Sequence, residues 1–77
     1  MIHPRLRGIL ADVLGLEAEE VGEETGPAEV KAWDSIRHLQ LVLAIEDEFA
    51  VVFSPDEIPT LTTAGRLERA LAARGVL

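Results

Sequence analysis

Cysteine is absent from the 77 residues, which excludes a disulfide framework, a thiolate zinc site and a protein thiol as nucleophile. Any thiol chemistry must therefore come from a cofactor. Aromatic residues are scarce too, with one Trp, two Phe and no Tyr in a chain that is 48% hydrophobic. The core must then be built from Leu, Ile, Val and Ala, which favours packed helices over a small β-sandwich. Positive charge is also thin, with 7 Lys and Arg against 14 Asp and Glu and a formal net charge of −7. A nucleic-acid backbone or an anionic membrane surface asks for a basic stripe, so neither is an expected partner, whereas a basic protein surface is. Long apolar runs are missing as well. Asp12 and Glu17 interrupt the stretch after Arg5 and Arg7 before it could serve as a signal-peptide core, and nothing reaches transmembrane length. A cytoplasmic monomer is the expectation, with one small domain over residues 1–77 that has a thin core and little room for a catalytic cleft.

What is present is helical periodicity. Leu6, Ile9, Leu10, Val13 and Leu14 recur on one helical face, with Pro4 in the first turn and Gly15 as the terminator. From Gly15 to Asp34 runs a connection with six glutamates, Gly22, Gly26 and Pro27, and no sustained period. Connections of this length are usually functional or spanning. Leu16, Val21, Val30 and Trp33 are expected to pin it onto the helices, and its glutamates to form solvated surface.

The pattern predicts a second helix over Ser35–Phe49. With successive residues 100° apart around its axis, His38, Leu41, Val42, Ile45 and Phe49 fall on one face, the width of a stripe packed on a core. Ile36, Leu39 and Leu43 fall nearly opposite, flanked by Gln40 and Asp47. A helix buried all round would account for that second stripe; so would a docking face. Left in water, three such side chains forgo roughly 1.5–3 kcal/mol each, a loss that an intermittent partner would explain.

Ala50-Val51-Val52-Phe53 is read as a buried connection, since a lone strand would have nothing to pair with. Ser54-Pro55-Asp56-Glu57 is a helix-start signal, and Pro59 restricts that helix to about one turn. Thr62 or Thr63 caps a last helix whose apolar face is Ala64, Leu67, Ala70 and Leu71, ending at Gly75. The expected fold is all-α, with three main helices and a short third helix between the second and the last.

Ser35, at the junction of the acidic connection and the most hydrophobic helix, is the residue best placed for chemistry. Asp34-Ser35 alone also suits the ordinary task of satisfying free N–H groups at a helix start. A Ser35–His38 nucleophile and base are sterically conceivable one turn apart, yet no oxyanion-hole motif accompanies them and His38 projects with the core face. His38 is expected half-buried with one nitrogen satisfied, and His3 exposed. The carboxylates of Glu46-Asp47-Glu48 and Asp56-Glu57 lack the alternating ligands and glycine turn of an EF-hand loop.

Along essentially its full length the chain resembles the acyl carrier proteins, or phosphopantetheine-attachment domains. The family's Asp-Ser-Leu motif stands here as Asp34-Ser35-Ile36. Leu39, Leu41, Val42, Ala44, Ile45 and Glu46-Asp47-Glu48-Phe49 follow its second-helix pattern, and Phe53, Asp56-Glu57 and Leu61-Thr62-Thr63 continue it to the last helix. The resemblance implies a four-helix bundle, itself not an enzyme, in which Ser35 receives 4'-phosphopantetheine from coenzyme A through a separate phosphopantetheinyl transferase. The arm's thiol would then hold acyl or aminoacyl thioesters for acyl-loading and synthase enzymes with basic docking surfaces. It also implies that Asp34 helps to present the serine and metal to the transferase, that Ile36, Leu39 and Leu43 face partners, and that Ile58 and Leu61 lie near the arm and its cargo. A phosphate at a helix N-terminus is physically favoured by free N–H groups and the macrodipole.

Departures from the family narrow the pathway. Fatty-acid carriers commonly have Asp-Leu-Gly before the serine and acids after it, where this chain has Lys31-Ala32-Trp33, then Arg37 and Gln40. The Trp-Asp-Ser form looks more like discrete carriers of specialised polyketide, modified-acyl or aminoacyl pathways, with Glu46 and Asp47 keeping an acidic second half of the helix. The alternative function is an unmodified acidic adaptor that binds partners through the same face.

Overall fold

Proline fixes the first helix. Pro4 occupies its first turn, and the chain enters from His3, whose ring Nδ1 accepts the Arg5 N–H at 3.2 Å. In the computed structural model, which describes residues 2–77, α1 spans Pro4–Leu14, α2 Ser35–Phe49 and α3 Ala64–Ala73. Residue 1, included in the domain expected over 1–77, lies outside the described residues. Two single 3₁₀ turns, Ala18–Glu20 and Ile58–Thr60, complete the element order, and no strand occurs among the described residues.

Each α-helix starts and stops for a local reason. Asp34 caps α2 by accepting the Arg37 N–H, and Thr63 caps α3 by accepting that of Arg66. Gly15 and Ala50 adopt left-handed conformations that end α1 and α2. The expected short third helix is present as a single turn, shifted along the chain. Residues 55–57 form turns, and the 3₁₀ bonds begin at Ile58 because Pro59 has no N–H to extend an α-helix.

One cluster of buried side chains joins the three helices. Leu6, Leu10 and Leu14 from α1 meet Leu41, Val42, Ile45 and Phe49 from α2 and Leu67 and Leu71 from α3. Ile2, Val21, Trp33, Phe53 and Leu61 close its edges. Helices α1 and α2 run antiparallel, each supplying an arginine to the other's C-terminus. Arg5 Nη2 donates to Glu48 O at 3.1 Å and pairs with the Glu48 carboxylate, while Arg37 Nη1 donates to Val13 O at 2.6 Å. A cation there satisfies orphan carbonyls and complements the macrodipole. The Arg5 guanidinium also lies over the Phe49 ring, 4.5 Å from its centroid.

The acidic connection is held by turns rather than by a period. Glu17 and Glu20 form a reciprocal capping box around the first 3₁₀ turn. Gly22 N–H donates to Thr25 Oγ1, and the Ala64 and Gly65 N–H groups at the start of α3 donate to the carbonyls of Thr25 and Glu23. The loop therefore caps α3 from a distance. Val21 and Trp33 are buried and Leu16 and Val30 half-buried, as expected of residues that pin it.

Three expectations need correction. Segment 50–53 is not uniformly buried. Its extended part turns Phe53 into the core, where the Glu46 carboxylate accepts its N–H, and leaves Val52 82% exposed. His3 is half-buried rather than exposed, because it caps α1 and its own N–H donates to Glu68. His38 has both nitrogens bonded, not one.

Candidate functional site

Ser35 is the first residue of α2, exposed, directly after the Asp34 cap. Asp34 is extended at φ −99°, with Oδ1 2.8 Å from the Arg37 N–H. This bond fixes the first turn and with it the direction of the Ser35 side chain. The hydroxyl sits at the positive end of a 15-residue helix, where an attached phosphate is electrostatically favoured.

Beside Ser35 lies an open groove of about 480 Å³ bordered by Pro27, Trp33, Leu39, Ile58 and Pro59, with His38 and Thr62. Its walls come from the end of the acidic connection, the first turns of α2 that follow it, and the 58–62 turn, distant in sequence from both. A hydrogen-bonded bridge ties them together. Trp33 Nε1–H donates to His38 Nδ1 at 2.9 Å, and His38 Nε2 lies 2.8 Å from Ile58 O. Indole N–H is a donor only, so Nδ1 must be the acceptor and Nε2 carries the proton that goes to Ile58 O. Neither nitrogen is presented to the Ser35 hydroxyl, so the conceivable Ser35–His38 pair is not formed.

The apolar stripe of α2 points outward, with Ile36, Leu39 and Leu43 at 69%, 55% and 65% exposure. This resolves the choice between a helix buried all round and one with a free face. Gln40 and Asp47 are exposed along the same helix. Of the residues singled out from the sequence, Asp34, Ser35, Leu39 and Ile58 converge on the groove, whereas Ile36, Leu43, Gln40 and Asp47 do not line it. Arg37 is exposed but tied to α1 through Val13 O. Leu61, implied to lie near the arm, is buried in the core cluster, next in sequence to Thr62 of the groove. Sequence reasoning missed the bridge and the two prolines of the groove. A Trp and a His bracketing the serine were the available signal.

A family model described as a phosphopantetheine attachment site matches residues 4–71. The chain belongs to that family. It is accordingly a carrier protein, and 4'-phosphopantetheine is its covalent prosthetic group. The site residues fit such a group. The carrier offers an exposed hydroxyl at a helix N-terminus, with an apolar groove beside it. The arm supplies the thiol that a cysteine-free chain lacks. Carrier domains of this family are generally non-catalytic and work with partner enzymes such as a phosphopantetheinyl transferase. Among the described residues no helix is long and apolar enough to cross a membrane.

Proposed function

We propose that Ser35 Oγ is the attachment atom and that the domain carries acyl or aminoacyl groups as thioesters on the arm. The observation that carries this is the position of Ser35, an exposed hydroxyl at the capped start of α2, beside an apolar groove and inside the matched span. Asp34 holds the first turn of α2 in place while the transferase acts. Partner enzymes dock on the outward face of α2 through Ile36, Leu39 and Leu43, with Gln40 and Asp47 as polar rim and Ile58 at the edge of the groove. Arg37 contributes by its tie to α1, which sets the shape of that face. The net charge of −7 favours partners with basic docking surfaces, which it would steer toward the domain at low ionic strength. Trp33, Arg37 and Gln40, at positions where fatty-acid carriers differ, support a specialised pathway such as polyketide, modified-acyl or aminoacyl synthesis. A cytoplasmic location fits the coenzyme A that the modification consumes.

Intact mass before and after incubation with coenzyme A, magnesium and a permissive phosphopantetheinyl transferase tests the assignment, with Ser35→Ala in parallel. One arm-sized increment, lost in the variant, is expected. An increment retained by Ser35→Ala would move the attachment elsewhere. An unmodified protein whose partner binding survives Ser35→Ala would favour the acidic adaptor.

A further inference from the structure

His38 is the outermost member of the buried face of α2, followed on that face by Leu41, Val42 and Ile45. It also borders the groove beside Ser35. The side chain therefore stands between the place where the arm begins and the interior behind it. It is not free to swing away, because its ring is bonded on one side to Trp33 and on the other to the Ile58 carbonyl. Trp33 is itself 3% exposed, and the two rings lie within 22° of parallel. In the core cluster that Trp33 joins, Leu41, Ile45, Leu67 and Leu71 are fully enclosed.

Resting on the carrier reading, we propose that the Trp33–His38–Ile58 bridge closes the route from Ser35 into the core and keeps the thioester and its cargo in the outer groove. Trp33 and His38 are on this view specificity-determining residues. To pass between α2 and the 58–62 turn, an acyl chain would have to part both hydrogen bonds and leave the indole N–H and a carbonyl unpaired in apolar surroundings, which is costly. A linear chain of medium length would at best offset that cost by burying its methylenes, and a short, branched or polar acyl or aminoacyl group has too few to do so. The cargo class that suits the closed bridge is the second, held where a partner enzyme can reach it.

The test loads the full chain from octanoyl-coenzyme A with a permissive transferase, verifies the increment by intact mass, and follows methyl resonances by two-dimensional NMR. An octanoyl group is a demanding probe because its methylenes come near to offsetting the cost of parting the bridge. In the native protein, shifts are expected at Leu39, Ile58 and Thr62 and not at Leu41, Ile45 or Leu67. Trp33→Phe removes the indole donor and should move the shifts to the core set, whereas His38→Gln, with an acceptor and a donor on one amide, should retain the native pattern. Core shifts in the loaded native protein overturn the inference while leaving the carrier reading intact. Groove shifts that persist in Trp33→Phe overturn the role of the bridge. A protein that takes no arm overturns both the carrier reading and the inference built on it. Should Trp33→Phe fail to fold, the native spectrum alone still decides whether the core is reached.

Discussion

Ala50 ends α2 at φ 55° and ψ 46°, a left-handed conformation in which its Cβ crowds the following carbonyl. The equivalent positions after α1 and near the chain end are glycines, Gly15 and Gly75, at φ 69° and 73°. Ala50 is exposed, so its methyl contributes little packing that a substitution would lose. Ala50→Gly should therefore stabilise the domain by about 0.5–1 kcal/mol, the strain relieved being partly offset by the freer unfolded chain. For a domain of this size that raises Tm by roughly 2–8 °C. Thermal unfolding followed by circular dichroism checks it, and an unchanged or lower midpoint would mean that the left-handed turn carries no strain.

Between elements, the decisive contact is the one by which the acidic connection caps α3. Two glycines lie at this junction. A Cβ on Gly26 would stand 2.6 Å from the Thr62 carbonyl oxygen, and one on Gly65 would stand 2.9 Å from that of Glu23. Both obstacles are backbone atoms, which cannot turn aside. Gly26→Ala should cost about 1–3 kcal/mol, as overpacking does. Gly65→Ala should cost less, because alanine gains about 1 kcal/mol of helix propensity inside α3. Urea unfolding with an unchanged m-value would report both; if Gly26→Ala unfolds at the native midpoint, the loop does not approach α3 this closely. This junction also marks the limit of what was legible in the sequence. The bounds of α2 were readable because a cap, a 3.6-residue period and a sharp end coincide there. The stitch to α3 was not, since carbonyls of Glu23 and Thr25 carry no side-chain signature and only the two glycines hint at close approach. The Ala18–Glu20 turn was hidden because its capping box is made of glutamates, which also suit plain solvated surface. The position of Ser35 at the start of α2 was legible for the same reason as α2 itself, and the Trp33–His38 bridge was not, because each residue alone has an ordinary role.

At the scale of the molecule, a domain this small must decide which of the two apolar faces of α2 to spend on its core, and the answer sets what the other face can do. Ile45 is fully buried among the three helices, while Leu43, two residues earlier, is 65% exposed. The same substitution at these neighbours should therefore have opposite consequences. Ile45→Glu places an unpaired charge in the core, a penalty of several kcal/mol against a total stability of about 5–15 kcal/mol, and should leave the domain unfolded at neutral pH. Leu43→Glu loses almost no burial and should keep the native circular dichroism spectrum and a Tm close to that of the native protein. Yet it puts a charge on the outward stripe, where a partner would have to desolvate it, and it should slow transfer of cargo by the partner enzymes while the arm is still attached normally. Unfolding of Leu43→Glu would mean that the stripe supports the fold. An unaffected transfer rate in a folded Leu43→Glu would mean that partners approach from the groove side, past Ile58 and Pro59, and that the exposed leucines serve neither core nor docking.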